Sequence, residues 1–543
     1  LILNADKIWR VTIVWNAQRV SEGLDEIDSA RASVLANVKQ LLDEYHGVSN
    51  SARYYDIILG DWVERFLHLV YVATQQYANG EKDGSHSDEE ATAIEILPTS
   101  DTAEFFAAHQ TLPNQMLAVL RCLSFSGVDA VKISDCGVKV KNSARLSRRN
   151  KIYAILLKFA SIGTNPKVLF VKPFSGNTPG SWFSTMLSWR KWAKQDDLDF
   201  SLVVQTKVDS QWRHRNLANV SVGTNLAETA NAVLSAFIPV CALEGFVEFK
   251  TKVKTERPKR FAHVYSAQSL WTHFAFKVLV AEWCEQGTKL HYHQHGGWYG
   301  LDETHVGEIY ESRVSDFYYT WGWNRGNTKT RALPPVTPSF KIQEPLFDSL
   351  ICFDQPEQIY RLQYFPLPGT LQTMYHQTAD FVRTRESVTE LRIRLFPGEY
   401  GTQQKNAILR ANSSAVFDNS QNIFSQYSSS RIVFHNYLGT SWLETLGNNI
   451  PTICFYDVDA YRFRSDAGPL LEDLVKVGVL HISGLSAAEK ANAVDGDVDS
   501  WWLSEEVQIA RRNFVLQYAN FSTDWKQIWL ENFRDAINVS ESA

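Results

Sequence analysis

The sequence predicts an α/β protein in which two Rossmann-like domains face each other across a cleft, with an added helical region in front. Three observations predict it. Short apolar runs bounded by Gly and Pro alternate with helical stretches on both sides of a Pro-rich segment at 327–345, and such alternation implies parallel sheets with crossover helices. Helical periodicity, without a strand pattern, dominates residues 16–130. The length of 543 residues leaves room for about three or four units of ~150 residues, or for two large domains with additions.

The elements follow in order. "SARASVLANVKQLLDEYHG" repeats apolar residues at three and four and ends at Gly47, a helix stop. "YYDIILGDWVERFLHLVYVATQQY" continues the helical region; "ANGEKDGSHSDEEATA" (78–93) reads as a polar loop, and 101–125 as helix. "KVLFVKPF" (167–174) is the first strand signal. A helix over 228–250 is broken near Pro239. "RFAHVYSAQ" (260–268), "LWTHFAFKVLVAEWCEQG" (270–287) and "TKLHYHQHGG" (288–297) read strand, helix, strand. The segment 327–345 is the expected linker. After it come strands at 349–354, 390–397, 431–436, 452–457 and 478–483, helices near 367–388 and from about 440, and a helical stretch at 497–519. The expected domains are 1–335 (helical region 16–130, Rossmann-like part about 160–325) and 336–520, with 521–543 as a tail.

Composition narrows the function. Hydrophobic residues make up 44% and charged residues 21%, enough for large cores without staples. A net charge of −6 argues against a nucleic-acid binder. Basic clusters within 139–151 and 252–260 are solvated loops or contacts to anionic headgroups or glycans. The six cysteines form no C-x-x-C pair, which fits a reducing compartment. No run reaches the ~18 apolar residues of a membrane span, so a cytoplasmic place, with peripheral contact at the inner membrane, is the expectation. The chain begins at Leu1 rather than Met, which leaves an upstream segment or removed signal open.

Four stretches carry chemistry. In open parallel sheets ligands bind beyond the carboxyl ends of strands, where Gln294, His295, Gly296 and Gly297 fall. Glycines there permit close backbone approach and positive φ, successive N–H groups can hold an anion, and His295 can act as a base. The ordinary reading is a tight turn with a core histidine. His291, His293 and His295 alternate and raise Zn²⁺, but alternate strand residues lie ~6–7 Å apart, long for two ligands of one ion; no metal is expected. In "RIVFHNYLGTSWLETLGNNIPTICFYD" (431–457) a strand ends at His435-Asn436. Thr440 and Ser441 then start a helix that bears Glu444. They are caps, or hydroxyls beside free N–H groups aimed at a phosphate, and Glu444 can hold a ribose or sugar hydroxyl. "LRIRLFPGEYG" brings Arg394 and Glu399 to a strand end, Glu399 as base contact or acid/base. Glu244 and Glu248, four apart on one helix face, are further candidates for a general base. His46, Arg53 and Tyr54 are weaker candidates for acceptor binding, and Arg53 serves equally as a structural ion pair.

These residues also carry a resemblance. "LDEYHGVSNSARYYDIILGDW", "LEGF", "GTKLHYHQHGGWYG", "YYTWGW", "LRIRLFPGEYG", "GTSWLETLGNNIPTICFYD" and "DVDSWWLSEEVQIARRNF" resemble, in the same order over roughly residues 40–520, a bacterial family of surface-carbohydrate (O-antigen or capsule) biosynthesis transferases. More remotely the chain resembles two-domain GT-B transferases that use cytidine-nucleotide donors: Kdo, sialyl and pseudaminyl transferases, and the glycerophosphate transferases of teichoic acid synthesis. His295-Gly296 and Thr440-Ser441 take the places of the latter's His-Gly and Ser-Ser. Gly297 departs from their Thr-Pro, which puts their donor in doubt here. The resemblance implies a GT-B-like fold, a nucleotide-sugar donor (CMP-linked, as for a nonulosonic acid or Kdo), a glycan or lipid-linked oligosaccharide acceptor, and no cofactor or essential metal. A CDP-dependent polyol or sugar phosphotransferase and a non-catalytic glycan-binding subunit are the alternatives. A soluble hydrolase would need a facing carboxylate pair, and none is evident. Retention or inversion stays open.

Overall fold

The computed structural model describes residues 15–541 except 83–92, 109–110, 143–147, 161, 174–178, 199–200, 222–223, 327, 337–341, 356–361, 363–369, 399–402 and 421. Most of the polar loop at 78–93, and Glu399, therefore lie outside the described residues.

Two long helices open the fold, α1 (Ala17–His46) and α2 (Ala52–Lys82). Gly47 ends α1 in the left-handed conformation at φ 64° and donates its N–H to Asp43 O, the stop the sequence predicts. Nearly every residue of α2 from Tyr54 to Ala73 is buried, because α1, the helix Leu112–Phe125 and α3 (Phe274–Cys284) surround it. A helix enclosed on all sides needs partners for its charges. Lys277 meets Asp61 at 2.6 Å with both side chains fully buried. Arg31 pairs with Asp56 and Glu64, and Arg313 closes on the same two carboxylates at 3.0 Å each. Arg313 belongs to α4 (Val306–Val314), so this cluster ties α4 to the helical region.

The first domain is a six-stranded parallel sheet: β1 (Val168–Val171), β2 (Ala193–Gln195), β3 (His263–Ser266), β4 (Lys289–His293), β5 (Phe317–Thr320) and β6 (Thr330–Ala332), in spatial order 2-1-3-4-5-6. β6 falls inside the expected linker: Thr330 to Ala332 pair in register with Tyr318 to Thr320, so these three residues are an edge strand, which the prolines at 334–335 follow without harm. The second domain has β7 (Phe347–Ile351), β8 (Leu391–Arg394), β9 (Val416–Phe417), β10 (Ser430–His435), β11 (Thr452–Phe455) and β12 (Leu480–His481), all parallel. Its order is 9-8-7-10-11-12, the 3-2-1-4-5-6 arrangement of dinucleotide-binding sheets, whose switch point lies between the first and fourth strands. Two doubly wound parallel domains with a helical region in front make the GT-B-like α/β architecture.

Two further helices complete the frame that positions the site, α5 (Thr440–Gly447) after β10 and α6 (Glu505–Tyr518) packed on it. The segment 521–543, read as a tail, contains a helix, α7 (Trp525–Glu541). It crosses back to the first domain and buries Trp525, Trp529 and Phe533 against Phe170 and Tyr265 of the first sheet. The aromatic rings of Phe170, Tyr265 and Tyr319 on that sheet face demand a cover, and Trp529 Nε1 donating to Pro334 O at 2.7 Å fixes it.

Candidate functional site

The two domains meet where β4 and β10 end. Gln294 braces the turn after β4 from inside: its Oε1 accepts from Trp321 N and Trp323 Nε1, both at 3.0 Å, and its Nε2 donates to Gly296 O at 3.0 Å. Every polar atom of this buried amide is used within the first domain, so Gln294 shapes the turn and does not reach a phosphate. Gly296 and Gly297 are not in the positive-φ region. Gly297 is required for approach: an added Cβ would lie 2.5 Å from Gly439 C and 2.8 Å from Thr440 N. Its N–H donates to Thr440 Oγ1 at 3.0 Å, which takes it out of an anion nest.

His295 is the one side chain of the turn with an opening, about 25% exposed. Burial lowers its pKa to about 4, so it is neutral at pH 7. Its Nδ1 lies 3.3 Å from Tyr299 Oη, whose single hydrogen goes to Glu311 Oε1 at 2.9 Å. Tyr299 is thus the acceptor for His295 Nδ1–H, which leaves Nε2 as the lone-pair nitrogen. Glu311 itself is 3.7 Å from Nδ1 and also receives Trp271 Nε1 at 2.5 Å and Tyr318 Oη at 3.1 Å. Burial pushes its pKa up to about 8, against the pull of those three donors. The sequence reading missed this Glu–Tyr–His relay. Its only signal was the pair Glu308 and Glu311 three apart on α4, ahead of a strand rich in tyrosine.

Across the contact, Gly439 is the N-cap of α5 and has no side chain to offer, so the first N–H groups of the helix have no side-chain cap. Thr440 Oγ1 accepts from Gly297 and keeps its own hydrogen to donate. Ser441 is turned inward: its hydroxyl donates to Tyr437 Oη at 3.0 Å and sits 3.2 Å from His435 Nδ1, so the hydroxyl is taken up inside the second domain. Glu444, one turn further, accepts from Tyr427 Oη at 3.2 Å, and burial raises its pKa to about 8. Asn436 is a clamp across the switch point, receiving Phe353 N at 2.9 Å and donating to Thr378 Oγ1 at 3.0 Å. Arg394 lies at the end of β8 with Nη1 on Ser420 O at 2.7 Å and near Asp418. Phe353, at the switch point, touches Tyr437, Phe396 and, from the first domain, Trp298, with centroids 4.7, 5.5 and 6.2 Å apart. This aromatic wall spans the two domains; its members are scattered in sequence, so no motif announced it.

Other expected residues have structural tasks. Glu244 makes a bidentate pair with fully buried Arg213 at 2.7 and 2.8 Å and accepts from Asp209 N, which makes it the counter-charge of a buried arginine. Glu248 is half exposed and bound to Lys252 at 2.6 Å, a helix-surface pair. His46 meets Ala242 O, Arg53 meets Asp316 and Val314 O, and Tyr54 donates to Glu282; the three fasten the helical region to the first domain instead of facing the cleft together. His291 and His293 are buried among Tyr319, His263, Tyr265 and Leu333 O, which makes them core.

A sequence profile of the family described as "LIC12162 family transferase" matches residues 11–533. No curated protein matches the chain. Among solved structures, MurG of Acinetobacter baumannii is 10% identical, with 68% of this chain and 100% of MurG covered and a TM-score of 0.33. S. aureus MnaA with UDP is 9% identical, with coverage of 54% and 80% and a TM-score of 0.36. The spinosyn rhamnosyltransferase SpnG with spinosyn aglycone is 9% identical, with coverage of 65% and 98% and a TM-score of 0.32. Scores of this size decide neither fold nor chemistry.

Proposed function

The chain belongs to the LIC12162 family of transferases, and from that premise we propose that it is a glycosyltransferase moving a sugar from a nucleotide-activated donor to a glycan hydroxyl. One observation carries the reading: the uncapped start of α5, beside the 3-2-1-4-5-6 switch point, lies directly against the turn that presents His295. Free N–H groups at a helix start and the Thr440 hydroxyl suit a phosphate. Phe353 and Tyr437 offer faces for a base or sugar, and Glu444 is in reach of a ribose hydroxyl.

In this mechanism the acceptor oxygen forms its bond to the anomeric carbon as the bond from that carbon to the phosphate oxygen breaks. The nucleotide leaves with the phosphate, whose charge the α5 N–H groups and Thr440 Oγ1–H stabilise. His295 Nε2 takes the acceptor proton. The imidazolium that forms keeps its Nδ1–H on Tyr299 Oη, whose own hydrogen rests on Glu311. Closure of the two domains at Gly297 and Thr440 holds the reactants in line.

The donor we assign is CMP-linked, a nonulosonic acid such as pseudaminic acid or Kdo, and the acceptor a bacterial surface polysaccharide. The resemblance of the QHGG turn and the Thr-Ser helix start to cytidine-dependent transferases supports this. A thermal-shift panel of CMP, CDP, UDP, GDP and dTDP tests it. CMP at 100 times its dissociation constant stabilises by about 2.7 kcal/mol, and Thr440→Val weakens the response. CDP preference converts the reading to a phosphotransferase, and silence from all five nucleotides overturns it.

A further inference from the structure

No Asp or Glu occurs between Asp135 and Asp196, in a chain whose net charge is −6. Within this acid-free run one helix, Arg148–Ala160, carries Arg148, Arg149, Lys151 and Lys158. The helix lies on the first domain against the helix Pro179–Trp189. Tyr153 stacks on Phe183 with centroids 4.5 Å apart, and Leu157 is buried in the aromatic core beside it. Those two residues, four apart, define the inward face.

The opposite face is apolar and open. Ile152, Ile155, Leu156 and Phe159 follow the i, i+3, i+4, i+7 spacing of a single stripe and are 57, 54, 49 and 66% exposed; Ile162, just past the helix end, is 74% exposed. Scattered exposed hydrophobics are ordinary, but a contiguous stripe marks a contact surface. A surface helix normally turns its polar side to water; here the outward side is apolar, with exposed Lys158 at its edge.

Charge decides the occupant. A second copy meeting this stripe about a two-fold axis would bring the same basic run against itself. An anionic bilayer takes both components: the apolar side chains enter the acyl boundary while Lys158 keeps its head at the phosphates, and the acid-free run brings no carboxylate of its own to repel them. We propose that the helix Arg148–Ala160 docks the protein on an anionic lipid surface, lying in the interface plane with Ile152, Ile155, Leu156 and Phe159 inserted. This docking face stands independently of the donor site.

The test is co-sedimentation of the full-length chain with phosphatidylcholine vesicles, with and without 30% phosphatidylglycerol. Binding to the anionic vesicles is expected, with little to phosphatidylcholine alone, and it weakens between 0.1 and 0.5 M NaCl. Ile155→Glu with Phe159→Glu lowers the partition coefficient at least tenfold, and Lys158→Gln lowers it about fivefold. Both variants keep the wild-type melting temperature and nucleotide response, since none of these side chains is buried or near α5. Failure of the wild type to sediment, or sedimentation unchanged in the double variant, overturns the proposal. So does a wild-type dimer that becomes monomeric in the double variant without ever binding vesicles, which would make the stripe a self-association face.

Discussion

Gly297→Ala isolates the contact on which the site is built. The added Cβ would lie 2.5 Å from Gly439 C, 2.7 Å from Gly439 O and 2.8 Å from Thr440 N. All three are backbone atoms, so no side chain can rotate away, and the domains must separate by roughly 1 Å to reach ordinary contact. Overpacking of this kind costs about 1–3 kcal/mol, and the separation also loses the 3.0 Å bond from Gly297 N to Thr440 Oγ1, worth about 1 kcal/mol. A total of about 2–4 kcal/mol against the closed form corresponds to roughly 30- to 1,000-fold in its population. Transfer rates at subsaturating donor should fall by that factor, with nucleotide binding to the isolated α5 side less affected. Gly296→Ala is the control: its Cβ would sit 3.4 Å from Thr440 Oγ1 and 3.8 Å from Tyr299 Cε2, tight but without a backbone clash, and activity should stay within about fivefold of wild type. Equal, near-normal activity in the two variants would falsify the claim that the QHGG turn and α5 close on each other during turnover.

Three further perturbations follow from the same geometry. His295→Ala should lower kcat by about 10²–10⁴-fold and leave the thermal response to nucleotide intact; retained turnover would remove His295 as the base. Glu311, at about 8 when folded against the ordinary value of 4.5, gives an advantage to folding that is complete below about pH 4.5 and is lost as pH rises through 8. At about 1.4 kcal/mol per pH unit this approaches 5 kcal/mol, so Glu311→Gln should flatten the fall in denaturation midpoint between pH 5 and 8; an unaltered slope would show the carboxyl is ionised in the fold. Glu244→Ala strands the buried Arg213 guanidinium and should cost about 3–5 kcal/mol of stability, whereas Glu248→Ala, half exposed, should stay within about 0.5 kcal/mol with full activity; urea titration reads both.

The sequence announced the strands that end at the site better than it announced the site. β4 alternates Leu290 and Tyr292 with polar residues before its glycines, and β10 and β11 are apolar runs bounded by Asn436 and Pro451, so their type and their strand–helix–strand order follow from local chemistry alone. Their neighbours in space do not: β6 looked like a linker because an edge strand tolerates the same Pro-rich surroundings, and α7 looked like a tail because its Trp525, Trp529 and Phe533 find their core more than 190 residues upstream, at Pro334 and beyond. The candidate site residues divide the same way. Those set by backbone geometry, His295 and Gly297 at one strand end and Gly439 and Thr440 at another, could be picked out from the sequence, although the glycines serve close approach and not positive φ. Side-chain roles were misread wherever a polar residue had two uses. Gln294, Asn436, Ser441 and Glu244 all carry groups suited to a ligand, and each of them is consumed by an internal partner. Glu311 is the reverse case. Its helix shows no motif, but Arg313 two residues on is anchored by Asp56 and Glu64, and that anchor aims Glu311 at Tyr299 and His295. A relay assembled from α4, β4's turn and β5 exists only after the helical region has packed, which is why no window of sequence contains it, and why cutting the Arg313 anchor should weaken catalysis without touching any residue of the cleft.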